Sequence, residues 1–110
     1  MGRSKSKDQE EKMSFDMIIR PRAEENTNDA FLWYESRLKG LGEEFLLSAD
    51  ACINFIKRNP LAFQEKYKNV RVGLMDRFPY GIFYIVDRQT IIVLAVLYLS
   101  RNQKLFQTLH

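Results

Sequence analysis

The sequence predicts an α+β domain in which one strand and two helices precede a three-stranded meander. Three features of the 110-residue chain predict this class. A short apolar run near the N-terminus ends at a proline, two segments then carry apolar residues at steps of three and four, and the last third changes to a period of two. Elements in this order form one sheet with a helical hairpin packed on one of its faces.

Composition and length set the limits of this domain. Residues 1–12 are polar and lack apolar periodicity, which predicts a disordered leader, and residues 13–110 are assigned to a single domain. Translation from Met1 or from Met13 fits this division equally well. No secretion signal is recognisable, and the apolar run 91–99 is too short for a membrane span, which needs about 20 residues. We therefore expect a cytoplasmic protein without membrane contact.

The first half of the domain predicts a strand and a helical hairpin. Residues 15–20 form a short strand pattern that ends at Pro21, because proline lacks the N–H that a ladder needs and suits the first turn of a helix. Helices are predicted over residues 22–39 and 43–58, and the glycines between them permit a tight reversal. The apolar stripes consist of Ala23, Thr27, Ala30, Phe31, Tyr34 and Leu38 in the first helix, and of Leu41, Phe45, Ala49, Cys52, Ile53 and Ile56 in the second.

The second half predicts strands. Residues 70–75 alternate, so that valine and leucine share one face and Arg71 lies on the other. Segments 80–86 and 90–99 are rich in β-branched and aromatic residues, and the polar residues 87–89 supply a turn between them. Their nearly continuous apolar character predicts that both faces are covered along part of their length, one by the helices and the other by a partner.

Charge is distributed unevenly along the chain. The net charge is +3, but residues 59–110 carry seven Lys and Arg against three Asp and Glu, whereas residues 13–58 carry six against eight. A basic half favours an acidic partner, either nucleic acid or an acidic protein, although a solvated basic surface has the same composition. The single cysteine, Cys52, is predicted to be a small buried residue rather than a nucleophile. Because no cluster of His, Cys and carboxylates has ligand spacing, we expect no metal and no cofactor.

Six short motifs follow one another in a characteristic order. They are Leu-Gly-Glu-Glu-Phe at 41–45, Asn-Pro at 59–60, Val-Arg-Val at 70–72, Arg-Phe-Pro-Tyr-Gly-Ile-Phe-Tyr at 77–84, Ile-Val-Leu-Ala-Val at 92–96, and Arg101. Together they resemble the RelE/ParE superfamily, the toxins of bacterial type II toxin–antitoxin systems, over residues 15–106. The resemblance implies a RelE/ParE-like fold: an N-terminal strand, an α-helical hairpin, and a three-stranded antiparallel meander that completes one sheet.

The superfamily contains two functional classes. RelE-like toxins are ribosome-dependent mRNA endoribonucleases, or mRNA interferases, whereas ParE-like toxins, also called plasmid stabilisation proteins, poison DNA gyrase. RelE-type patterns carry an arginine and a late tyrosine where this chain has Gly81 and Gln107, and often a histidine where it has Tyr98. The resemblance therefore implies a ParE-like toxin that inhibits growth through DNA gyrase and is neutralised by a cognate antitoxin. An endoribonuclease and a non-catalytic antitoxin-binding module remain the alternatives, so whether the chain is an enzyme stays open.

Candidate site residues follow from these classes. Cleavage of RNA by its own 2′-hydroxyl needs a base, cations that stabilise the phosphorane, and an acid for the leaving oxygen. In a nuclease the catalytic candidates are Arg71, Arg101, Lys68 and Tyr98. The candidates for binding nucleic acid or another target are Lys66, Lys68, Arg71, Arg77, Tyr80, Arg101 and Lys104. The aromatic residues Phe78, Tyr80 and Tyr84 also have a plain structural interpretation, as rings that pack the sheet.

The expected partners are a cognate antitoxin and, as target, either DNA gyrase or the ribosome with its mRNA. A basic half with long apolar strands suits an acidic, partly disordered antitoxin segment, because apolar burial and charge attraction then act together. The location implied by the resemblance is the bacterial cytoplasm.

Overall fold

A computed structural model describes residues 15–99, and its elements follow the predicted order with one addition. The elements are β1 (Asp16–Ile19), α1 (Pro21–Arg37), α2 (Leu41–Arg58), β2 (Glu65–Tyr67), β3 (Val70–Leu74), β4 (Tyr80–Asp87) and β5 (Thr90–Tyr98). The α+β class and the helical hairpin are confirmed. The added strand, β2, escapes prediction because three residues reading Glu-Lys-Tyr show no apolar alternation. The predicted leader 1–12 and the candidates Arg101 and Lys104 lie outside the described residues.

All of these strands belong to one five-stranded sheet in the order β1-β5-β4-β3-β2. Strands β2 to β5 are joined by antiparallel pairs, whereas β1 runs parallel to β5, with Met17 opposite Ile91 and Ile19 opposite Val93. A parallel pair requires a long crossover connection. Here the connection from β1 to β5 contains both helices and three strands. It brings the first and last described strands side by side.

The reversal between the helices depends on one carboxylate and two glycines. Glu35 of α1 accepts hydrogen bonds from the backbone N–H groups of Gly40 (3.0 Å) and Gly42 (2.9 Å) at the start of α2. Gly40 has a φ of 90°, a left-handed conformation that strains other residues. At Gly42 an added Cβ would lie 2.7 Å from the ring of Phe31 and 2.8 Å from the Phe31 backbone oxygen. The two helices therefore meet in close contact at this end.

The core lies between the helices and the sheet. Phe45 of α2 and Tyr84 of β4 are fully buried in it. The apolar stripe predicted for the second helix is confirmed, and its buried members are Phe45, Ala49, Cys52 and Ile56. The first helix is less amphipathic than predicted: it buries only Ala23 and Ala30, and Leu38 lies beyond its end with 63% of its surface exposed. Within residues 15–99, neither helix is long and apolar enough to cross a membrane.

The two faces of β3 are used in an unexpected way. Arg71 lies opposite Tyr84 on β4, so the face that carries the guanidinium is the face covered by the helices. The valine face lies on the other side of the sheet, where a second, smaller apolar cluster consists of Val72, Phe83 and Ala95. The helical layer on one face is thus confirmed, and a partner on the second face stays a prediction.

Candidate functional site

The residues predicted for catalysis do not converge in the described part of the chain. Arg71 on β3 lies opposite Tyr84, whereas Tyr98 at the end of β5 lies opposite Tyr80, four residues earlier on β4. Strands rise about 3.3 Å per residue and lie about 4.8 Å apart, which places the Cα atoms of Arg71 and Tyr98 roughly 16 Å from each other. The members of the nuclease set that lie within residues 15–99 are therefore divided between two regions of the sheet.

Arg71 is engaged in holding the loop before β2. Its guanidinium donates to the backbone carbonyls of Phe63 and Leu61 and pairs with the Glu65 carboxylate at 3.4 Å. Only 17% of the Arg71 side chain is exposed. Charge-assisted hydrogen bonds of this kind would have to break before the guanidinium could bind a phosphate. The geometry therefore supports a structural role for Arg71, which is to hold the loop before β2 against the sheet.

Tyr84 and Cys52 also serve the core. The Tyr84 hydroxyl donates to the carbonyl of Pro60 at 2.8 Å, so it holds the same loop as Arg71. Burial raises the pKa of Tyr84 to about 12, although the nearby Arg71 guanidinium partly opposes the shift. Burial likewise raises the pKa of the Cys52 thiol to about 11, and the Asp76 carboxylate adds to the effect. Both groups stay protonated at physiological pH, which agrees with the structural roles predicted for them.

Lys66 is exposed on β2, and Lys68 is exposed in the turn between β2 and β3. The Lys68 ammonium lies 5.3 Å from the centre of the Tyr67 ring, and its backbone adopts a φ of 52°. Within residues 15–99 neither lysine forms an ion pair. These two side chains are therefore the predicted cations that remain available to a target at this end of the sheet.

Arg77 begins the motif at 77–84 and is bound to the second helix. Its guanidinium donates to the Glu44 carboxylate at 2.7 Å, and its backbone lies in the left-handed region with a φ of 71°. The pair is largely exposed, with 66% of the Arg77 side chain accessible. An exposed ion pair contributes little to stability, so this arginine can exchange its partner at low cost.

A cluster of aromatic rings lies at the end of the sheet away from Arg71. The ring of Tyr80 on β4 is 5.7 Å from that of Tyr98 on β5 and 6.1 Å from that of Tyr34 on α1. With Trp33 and Asp29 of α1, these rings line a cavity of about 510 Å³ that we name the aromatic pocket. Burial raises the pKa of Tyr34 and of Tyr80, and neighbouring phenols raise both further. The three phenol hydroxyls thus lie within electrostatic reach of one another.

Sequence reasoning assigned Tyr80 and Tyr98 to the site but missed Trp33, Tyr34 and Asp29. The sequence feature that could have indicated this pocket is Trp33, a large aromatic residue outside the apolar stripe of its helix. In the structure it is 51% exposed. Tyr34 is fixed from behind by Phe45 and Phe78, with ring centres 5.4 and 4.9 Å away. The part of the pocket wall that Tyr34 forms is therefore anchored in the core, whereas Trp33 and Tyr98 are more than half exposed.

A second and larger cavity, of about 860 Å³, opens between the two helices. We name it the interhelical groove. Its floor is formed by sheet residues Ile82, Val93 and Val96. Leu46 and Leu47 form part of its wall and are 39% and 71% exposed. The charged residues that line it are all acidic, and they are Glu24, Glu43 and Asp50.

Comparisons with known proteins agree on the type of fold. Residues 17–103 match the family model described as the ParE toxin of the type II toxin–antitoxin system parDE. Among solved structures, the chain is similar to one described as the chromosomal ParDE TA system from P. aeruginosa, with 12% identity and a TM-score of 0.67. That similarity covers 80% of this chain and 99% of the other. A search of curated proteins gave no match.

Proposed function

The chain belongs to the ParE toxin family of type II toxin–antitoxin systems, and from this premise we propose that it inhibits growth by acting on DNA gyrase until a cognate antitoxin neutralises it. The observation that carries the proposal is the division of the three nuclease candidates that lie within residues 15–99. Lys68 and Tyr98 lie at different ends of the sheet, and Arg71 between them is bound to a loop. This arrangement favours a toxin that binds its target over one that cleaves RNA.

The alternative, an mRNA endoribonuclease, requires a base and a phosphate-binding cation around one scissile bond. In residues 15–99, the cations free of ion pairs near Arg71 are Lys66 and Lys68, which lie on an exposed hairpin. Both lysines are exposed, and the neighbouring Arg71 guanidinium is bound to the loop before β2, so the described residues around them do not form an enclosed catalytic site. This supports the gyrase proposal.

Two assays run in parallel test the proposal. We expect the purified protein to inhibit supercoiling by DNA gyrase and to leave ribosome-bound mRNA intact in primer extension. Lys68→Ala and Tyr98→Phe are the informative variants, because Arg71→Ala would also release the loop. Lys57→Ala, at the exposed end of α2, is the matched control. Cleavage of mRNA that is lost in Lys68→Ala and kept in Lys57→Ala would establish the nuclease alternative, and inactivity in both assays with retained antitoxin binding would favour a binding module.

We propose that the antitoxin binds in the interhelical groove. Its exposed leucines and its floor of Ile, Val and Val offer apolar burial, and a helix or strand in a groove is a common mode of peptide recognition. All charged residues that line it are acidic, and in residues 15–99 none of them forms an ion pair. The antitoxin segment that fits is therefore apolar with Lys or Arg at its edges, while the acidic segment predicted for the basic half would bind elsewhere on the toxin.

Leu47→Asp tests this placement. The change puts a fourth carboxylate into an apolar contact surface, so we expect the affinity for the antitoxin to fall by at least about tenfold in titration calorimetry. The matched control is Leu61→Asp, since Leu61 is 63% exposed and lines neither cavity. Equal losses in both variants, or none in either, would place the antitoxin on a different surface.

A further inference from the structure

We propose that the aromatic pocket is a binding site for an arginine side chain supplied by a protein partner. The site consists of the rings of Tyr34, Tyr80 and Tyr98 with the carboxylate of Asp29. Among the described residues it shares only Val96 with the interhelical groove, and the proposal does not depend on which cellular target the toxin has.

The rings provide faces for a flat cation. Tyr80 and Tyr98 meet at an interplanar angle of 78°, and Tyr34 and Tyr80 at 60°, so the three rings form walls rather than a stack. The negative faces of aromatic rings attract cations within about 6 Å of the ring centre. Among the described residues, no cation lies over any of these three rings. The cation–π contacts within this part of the chain are made to the rings of Trp33, Tyr67 and Phe78. No cation of residues 15–99 therefore occupies the phenol walls.

The carboxylate supplies the charge. Asp29 lines the pocket one helical turn before Trp33 and forms no ion pair within residues 15–99. A guanidinium can donate two parallel hydrogen bonds to a carboxylate while its plane stacks on an aromatic face, which a compact ammonium cannot do. The neighbouring Arg37 shows the aromatic contact alone, because its guanidinium lies 4.4 Å from the centre of the Trp33 ring.

The same features disfavour a nucleotide. Among residues 15–99, Asp29 is the only charged residue that lines the pocket, and a carboxylate repels the phosphate of a nucleotide. Asn26 also lines the α1 wall, but its side-chain oxygen already accepts a hydrogen bond from the backbone N–H of Val96 at 3.1 Å. A site with aromatic walls, one free carboxylate and rigid support from the core fits a guanidinium best.

The test uses Trp33, the only tryptophan of the chain, as a reporter at the pocket wall. Its fluorescence is followed while the full-length protein is titrated with N-acetyl-arginine methylamide, with the neutral citrulline analogue, and with guanosine monophosphate. We expect a saturable change with the arginine compound only. Asp29→Asn should weaken its binding about tenfold, because the charge-assisted pair is lost. Tyr98→Leu should weaken it about threefold, because one ring is lost.

Asp50→Asn is the matched control, since it removes an exposed carboxylate of the interhelical groove and leaves the aromatic pocket unchanged. Circular dichroism of each variant establishes that it is folded. Equal responses to arginine and citrulline, tighter binding of guanosine monophosphate, or an equal loss in Asp50→Asn would each overturn the proposal. The absence of any saturable response in the unmodified protein would do the same.

Discussion

Replacing Phe45 by alanine is expected to lower the free energy of unfolding by about 3–5 kcal/mol. Phe45 is fully buried on α2, and its ring contacts those of Tyr34, Phe78 and Tyr80 with centres 5.0 to 5.4 Å away. The substitution removes the apolar area of one ring and leaves a cavity that three anchored aromatic residues cannot fill. Urea unfolding followed by circular dichroism measures the loss.

Phe55→Ala provides the control for this effect. Phe55 lies on the same helix but is 40% exposed, and its one aromatic neighbour is Phe63 at 5.5 Å among the described residues. We expect it to cost clearly less, about 1–2 kcal/mol, because less area is removed from water. Comparable losses in the two variants would contradict the position of Phe45 at the centre of the core.

The second large effect is expected at Gly42. Gly42→Ala should lower the free energy of unfolding by about 3 kcal/mol, because its Cβ would meet both the ring and the backbone oxygen of Phe31 at less than 3 Å. A ring can rotate away, but the carbonyl belongs to helix α1 and can move only if the two helices separate. The higher helix propensity of alanine, worth at most about 1 kcal/mol, offsets part of the cost.

Gly40→Ala separates steric from conformational effects. At Gly40 no atom lies within 4 Å of an added Cβ, but the φ of 90° strains any other residue, so we expect a loss of about 1–2 kcal/mol. Both variants are compared by the same urea midpoints. A Gly42→Ala protein as stable as the unmodified chain would mean that the helices do not approach each other as closely as the structure has them.

The element order could be predicted from the sequence because each element carries its own local pattern. Pro21 marks the boundary between β1 and α1, and the stripe of α2 is regular enough to predict its buried residues. The parallel pairing of β1 with β5 could not be predicted, because it joins residues more than seventy positions apart with no local signal. Nor could the orientation of β3, since the inner face carries an arginine that reaches past the core to a loop.

The site was predictable only in its residue types. The motifs identified Arg71 and Tyr84, but apart from the Glu65 carboxylate their acceptors are backbone carbonyls of residues 60–63, which leave no trace in the sequence. The aromatic pocket combines α1 with the ends of β4 and β5, so its composition depends on how the helix crosses the sheet. Tyr80 and Tyr98 could be named as candidates from the sequence because both belong to predicted strands. Asp29 could be recognised as a pocket residue only once the position of α1 on the sheet was known.

The pairing of β1 with β5 also fixes the order in which the domain can be completed during synthesis. β1 is made before the other described elements, yet its strand partner β5, residues 90–98, is made after them, and α1 packs on that same strand. Contacts between residues so distant in sequence form only after most of the chain is available. A growing chain therefore cannot complete the sheet until β5 has been made. A product that stops before β5 lacks the strand with which β1 pairs.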